Sequence, residues 1–286
     1  MDKLIEDRAG QLTIVTDGYT NINNDAQVNY LAVARDSAIF LKTVATGKDR
    51  HTGEYISDGL QEVIGDIGRE KIVAVTTDNA SAMRSSWDLI KRQHPDLLTF
   101  GCGSHTTKLL VDDIFKIQLI SKTFNQIKEV VLYFKVSSLR YAHLKETADE
   151  MSPPHKFKAL QLPGKTRWQG RHNTVDRLLH NRKVLEFAIM NKQALLPIRP
   201  TAGDRAKFEE VKQLIVSDEF WERTGQLRDL LEPCLKVNIA LEADESKSSR
   251  LYAWWTWLLA ESMRNPMVER EEGKHRDNTL QHSEFL

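Results

Sequence analysis

The feature that most constrains this chain is a change of period inside one short stretch, Lys71 to Met83, K-I-V-A-V-T-T-D-N-A-S-A-M. Ile72 to Thr77 is a continuous apolar, β-branched run, the composition of a strand buried on both faces. It stops at Asp78. Beyond it Ala80, Met83, Trp87 and Ile90 recur at helical spacing. A buried strand therefore ends on an acid where a helix begins. Alone, Asp78 is explained as a cap for that helix. A second strand near the start ends the same way: Gln11 to Thr16 runs into Asp17. If the two strands are neighbours, the two carboxylates face each other across about 5 Å, one strand spacing. They then repel, and one pKa rises unless a cation lies between them. A pair of Mg²⁺ ions resolves that repulsion and suits phosphodiester chemistry.

The order of elements around this pair sets the expected fold. Val28 to Ala34 and Ile39 to Ala45 are predicted strands with a tight connection at 35–37, giving an antiparallel meander with the first strand. Ile56, Leu60, Val63, Ile64 and Ile67 lie on one helical face, with Gly68 as its C-cap. The helix after Asp78 ends at His94-Pro95, and 97–100 is a short fifth strand. The sum is α/β: a mixed five-stranded sheet with flanking helices, the element order of a ribonuclease-H-like fold. There the first and fourth strands are adjacent, which places Asp17 beside Asp78.

From Ser104 onward only helical stripes follow. Leu110, Ile114 and Ile117 begin one, and Phe124, Ile127, Val131 and Phe134 continue it. Val175, Leu178, Leu179 and Leu185 predict another helix, Phe220 to Leu235 one interrupted at Pro233, and Tyr252, Trp255 and Leu259 a last one. Proline-rich connections fall at 151–163 and 196–203. We set the boundaries at 1–150 for the α/β core, 151–263 for a helical domain, and 264–286 for a polar tail expected to be disordered. The 286 residues carry zero net charge, so the whole molecule points to no partner. Two cysteines far apart imply no disulfide framework and fit a reducing compartment. No run is apolar enough for a membrane span, and there is no signal segment at the start.

Five short motifs line up in order: D-G-Y-T-N at 17–21, H-T-G-E-Y at 51–55, T-D-N-A-S-A-M at 77–83, C-G-S-H at 102–105 and T-R-W at 166–168. In order and spacing they resemble the hAT superfamily of DNA transposases. The match is to the domain of unknown function that often forms the N-terminal half of hAT-like catalytic cores. The resemblance is specific over 12–115 and weaker over 160–262. It implies Mg²⁺ (or Mn²⁺) at Asp17 and Asp78, a catalytic contribution from His105, and DNA contacts from Cys102 and Trp168, the latter by stacking on a flipped base. It also implies a nuclear location. The family's third carboxylate follows the whole helical insertion, and this chain ends within that insertion. The matching Glu, an upstream zinc finger and a C-terminal dimerisation region, through which homo-oligomers would form, are therefore expected outside it. Glu186 and Glu261 are the internal acids weighed as substitutes, each equally explained by a solvated helix face. Cys102 and His105 alone are too few ligands for structural zinc.

Charge along the chain supports nucleic acid. Between 152 and 200 ten basic residues (Lys156, Lys158, Lys165, Arg167, Arg171, Arg177, Arg182, Lys183, Lys192 and Arg199) face two acids, Asp176 and Glu186. An exposed Trp168 among Lys165, Arg167 and Arg171 would form a phosphate-and-base surface. The expectation is a truncated hAT-like transposase, catalytically incomplete but able to bind DNA weakly. The alternatives are a domesticated binding module without catalysis, and a self-sufficient two-metal nuclease.

Overall fold

The computed structural model describes residues 11–34, 37–47, 52–151, 153, 155–164, 168–243 and 250–268. Contacts divide the chain into two compact units, Met1–Thr106 and Thr107–Leu286. The sequence reading drew its boundary near 150.

The first unit is built on a mixed five-stranded sheet of order β3-β2-β1-β4-β5. Its strands are β1 (Leu12–Thr20), β2 (Ala26–Val33), β3 (Ala38–Ala45), β4 (Ile72–Thr77) and β5 (Leu98–Gly101). β1, β2 and β3 form the antiparallel meander, and β4 and β5 run parallel to β1. The β1–β2 turn closes on Asn21, whose Oδ1 accepts the N–H groups of Asn23 and Asp25. Asn24 sits there at φ 64°, a conformation its short polar side chain tolerates.

Side chains alternate along the sheet, so Leu12, Ile14, Val28, Tyr30 and Ala32 share one buried face. Two helices pack on that face through the same core: α1 (Gly53–Ile67), presenting Ile56, Leu60, Val63 and Ile64, and α2 (Ser81–Gln93), presenting Met83 and Ile90. Thr52 caps α1 by accepting the N–H of Tyr55, and Gly68, at φ 98°, closes it by donating to Ile64 O. Packing under α1 is close: a Cβ on Gly59 would lie 2.3 Å from the Tyr30 hydroxyl. β4 is less enclosed than its composition implies, since Val73 is 40% exposed and Thr76 half-buried.

The second unit is helical: α4 (Gln118–Lys135), α5 (Ser138–Glu150), α6 (Gln169–His180), α7 (Arg182–Ala188), α8 (Lys192–Leu195), α9 (Ala202–Ile215), α10 (Asp218–Glu242) and α11 (Leu251–Met263). A further helix, α3 (Gly103–Ile114), crosses from one unit to the other along the chain. The unit's core gathers Phe134, Phe208, Trp221, Leu227, Leu231 and Val237. α10 runs through Pro233 instead of breaking there. Proline inside a helix costs about 3 kcal/mol. The neighbouring Leu230, Leu231, Cys234 and Val237 are 0–1% exposed, and their packing outweighs that cost. The single helix expected around Val175 to Leu185 is two, α6 and α7, divided at buried Asn181. Its amide bonds the backbone of Lys158 in both directions, N–H of 158 to Oδ1 and Nδ2 to O of 158, and so ties the 155–164 segment to the helices. The predicted tail begins in packed structure, with Met267 fully buried; 269–286 lie outside the described residues.

Candidate functional site

β4 stops at Thr77, so Asp78 stands at its carboxyl end, as the period change predicts. β1 differs: it continues to Thr20, and Asp17 lies within it, opposite Asn29 of β2. The parallel register pairs Ile14 with Val75 and Val15 with Thr76. Carried two residues on, the same offset sets Asp17 beside Asp78. The two acids thus lie side by side on adjacent parallel strands, Asp78 just past the end of β4 and Asp17 inside β1.

Electrostatics agrees with the register. The Asp17 carboxyl is pushed above the usual carboxylate range, first by partial burial and then by the negative charge of Asp78. His105, in the first turn of α3, and the N–H of Gly18 act in the opposite direction. Asp78 is held in place: its Oδ1 accepts the N–H of Ala80 at 2.8 Å. The capping reading is thus partly right, although the bond precedes the helix instead of closing its first turn. Thr77 supports the strand end, its hydroxyl donating to Asp78 O at 2.6 Å and accepting from Trp87 Nε1 at 3.2 Å.

Three residues that the sequence reading did not single out join β4 to α3. Asn79 Nδ2 donates to Thr106 Oγ1 at 2.8 Å and reaches Cys102 O at 3.5 Å. Thr106 Oγ1 donates to Cys102 O at 3.0 Å, and Cys102 N–H donates to Thr77 O at 2.7 Å. Gly101 makes room: a Cβ there would lie 1.7 Å from Asn79 Oδ1. The signal was visible as Asn after the acid and Gly before the C-x-x-H element, but neither residue type is specific to such a role.

Among the described residues no group of three or more His, Cys, Asp or Glu is gathered to hold a metal ion. Asp17 and Asp78 offer oxygen ligands of the right kind for a hard divalent cation, with water completing its shell. Glu186 and Glu261 are engaged locally, with Arg182 at 2.6 Å and Arg264 at 2.8 Å.

The expected DNA surface is altered in the helical unit. Lys165 and Arg167 lie outside the described residues. Trp168 is not an exposed stacking face: it is 6% exposed and belongs to the helical core. Arg171 is engaged too, its guanidinium 4.5 Å over the Phe115 ring and its Nη1 2.9 Å from Asp112 Oδ1. That contact is an ion pair lacking hydrogen-bond geometry. Burial acts against the Asp112 charge, but Lys108 and Arg171 together hold its carboxyl below the usual range. Lys158 pairs with Asp176, Arg182 with Glu186 and Asp218, and Lys192 with Glu209. Lys156, Lys183 and Arg199 pair with no acid among the described residues.

Residues 6–130 match the family described as "Domain of unknown function (DUF659)", and residues 100–214 match the "ZBED1 RNase-like helical domain". Together the two matches point to a hAT/ZBED-like, transposase-related protein. No curated protein matches the chain.

Proposed function

We propose that the sheet unit carries a cation-binding phosphodiester site of ribonuclease-H-like type, and that this chain binds DNA without cutting it. The observation that carries the proposal is the parallel register bringing Asp17 and Asp78 together, with the charge of Asp78 raising the Asp17 pKa. Asp17 and Asp78 would hold Mg²⁺ or Mn²⁺, which when bound supplies Lewis-acid stabilisation of a phosphate oxygen. The chain's own contribution is to bring the two acids onto neighbouring parallel strands, with Asp78 held by the Ala80 N–H. The two family matches add weight, because transposase-related proteins act on DNA, which also favours a nuclear location.

Ligand number supports the proposed inactivity. Two-metal phosphoryl transfer clamps both the attacking and the leaving oxygen, and no third acid joins the pair among the described residues. A second ion would be weakly held, and a misplacement of about 1 Å costs roughly 100-fold in rate. Incubation with a nicked or hairpin-forming duplex and either metal should give no strand cleavage or transfer. Metal-dependent cleavage that vanishes in Asp78→Ala would overturn this reading and favour a self-sufficient nuclease.

DNA binding is proposed for the basic residues of 152–200 that are not neutralised within the fold. It should be non-specific and salt-sensitive. Lys183→Gln and Arg199→Gln should each flatten the slope of log affinity against log salt by up to about 0.9. Arg171→Gln should leave it unchanged, because Asp112 and Phe115 already occupy that side chain. A slope indifferent to all three would remove this segment from the interface.

A further inference from the structure

We infer that the exposed face of α11 is a stacking platform for single-stranded nucleic acid, with Tyr252 and Trp257 meeting the bases and Arg250 and Arg264 the phosphates. The inference uses neither the acid pair nor the basic residues of 152–200. It starts from composition. α11, L-Y-A-W-W-T-W-L-L-A-E-S-M, carries one charged side chain in 13 residues, Glu261. A helix apolar all round is ordinarily buried all round. This one is buried on one side: Trp255 and Leu258 enter the helical core, and Leu251 and Trp254 pack against it. At about 100° per residue, Tyr252, Ala253, Thr256, Trp257, Ala260 and Met263 fall on the opposite side, and all of them are exposed.

That side has the relief and the charge of a base-stacking surface. Ala253, Thr256 and Ala260 run along its middle and project little. Tyr252, 69% exposed, and Trp257, 36% exposed, stand on its two rims. Trp257 is braced by Trp254, their ring centroids 6.0 Å apart at 78°, and a braced ring loses less freedom on binding. Arg250 precedes the helix and Arg264 follows it, both exposed. Arg264 meets Glu261 at 2.8 Å, an exposed pair that a polyanion can displace. Arg250 pairs with no acid among the described residues. The arginines decide between occupants. A second copy laid parallel would set Arg250 against Arg250 and Arg264 against Arg264. One laid antiparallel about Thr256 and Trp257 would set Arg250 against Arg264. Like charges so placed oppose self-association. A nucleic-acid strand offers the complement, a π-face on each base for the rings and a phosphate for each arginine. In a duplex those faces are already stacked on one another, so the fitting ligand is a single strand.

The test is binding of a fluorescein-labelled oligothymidylate to the full chain, followed by fluorescence anisotropy. Tyr252→Ala and Trp257→Ala should each weaken it about 5- to 150-fold, the loss of one stacked base, and leave the slope of log affinity against log salt as it was. Trp257→Phe keeps a ring face and should lose less than Trp257→Ala. Arg250→Gln and Arg264→Gln should each flatten the slope by up to about 0.7. Tyr252 is the more exposed of the two aromatics, so Tyr252→Ala decides the matter if Trp257→Ala fails to fold. Parent affinity in both alanine variants overturns the inference, as does a parent chain that does not bind the oligothymidylate. So does sedimentation of a self-associated parent that Tyr252→Ala renders monomeric with its single-strand affinity unchanged, because a second copy then covers the face. A parallel titration with a blunt duplex keeps this inference distinct from the proposed function. A duplex slope that responds to Lys183→Gln and Arg199→Gln, with single-strand affinity indifferent to the α11 variants, sinks this inference alone. The opposite pair of results upholds it and removes 152–200 from the interface.

Discussion

Replacing Trp168 by alanine separates two physical roles for that indole. At 6% exposed it has lost nearly all its solvent contact to the helical core. An aromatic of its kind buries about 150–250 Å². At about 25 cal/mol per Å² that corresponds to roughly 4–6 kcal/mol, an upper bound because unfolded chains are already partly compact. Alanine truncations of buried Phe or Trp cost about 3–5 kcal/mol, the void included. For a unit of this size each kcal/mol moves the midpoint by about 2–4 °C, so the helical unit should melt about 6–20 °C lower. Trp168→Phe, which keeps a ring in the space, should lose only part of that. Thermal unfolding followed by far-ultraviolet circular dichroism reads both variants. A base-stacking role predicts the reverse: unchanged melting and a loss of about 1–3 kcal/mol in single-stranded DNA affinity. Wild-type melting of Trp168→Ala with that loss of affinity would refute the core assignment.

Asp17→Asn should raise stability at neutral pH. The folded-state pKa of Asp17 lies above its unfolded value, by burial and by Asp78, so the ionised group costs stability above that unfolded value of about 3.9. The cost is relieved as pH falls through the raised pKa, so the two proteins should converge in acid, and a gain that persists there would contradict the cause given. If the acid pair holds a cation as proposed, added Mn²⁺ should stabilise the parent chain but not the Asn variant. In the core beneath α1, Gly59→Ala should cost about 1–3 kcal/mol by overpacking. The new Cβ would sit 2.3 Å from the Tyr30 hydroxyl, so adding Tyr30→Phe should restore most of the loss in a chemical denaturation series.

What the sequence made legible was local. The β-branched run of β4, the alternation of β1 and β2 and the stripe of α1 each announce themselves, because one face of each is buried and its period shows. The acid pair was legible only in part: β4 stops at Asp78, but β1 runs on past Asp17 to Thr20, so the neighbourhood of the two strands was legible from the element order and not from two strand ends. α5 was missed because only Leu144 and Ala148 are buried along its 13 residues, too few to draw a stripe. α9 was missed because its start lies in a stretch that looks like a break. Thr201 and Asp204 there form a reciprocal capping box, and their polar character resembles a loop. The Asn79–Thr106 link was not legible at all. It spans 27 residues, and the space it needs is visible only as a glycine.

The basic segment shows the limit most plainly, and the reason is geometric. Counting along the chain treats charges as neighbours when they are close in sequence, and over 152–200 the count is strongly positive. Coulomb energy depends on distance in space instead. Asp112, Glu209 and Asp218 lie outside the counted window, yet they pair with Arg171, Lys192 and Arg182 at 2.9–3.0 Å. The segment's surplus is therefore partly consumed inside the helical unit, and a phosphate would have to compete with carboxylates already in place. Exposed pairs of this kind contribute little, about 0–1 kcal/mol each, so a polyanion could displace the more exposed of them. Arg171 differs, because Phe115 and Asp112 hold it on two sides and its side chain is only 29% exposed. Among the described residues Lys156, Lys183 and Arg199 pair with no acid, so on the proposed reading they would meet a phosphate first, and none of these was prominent in the sequence motifs.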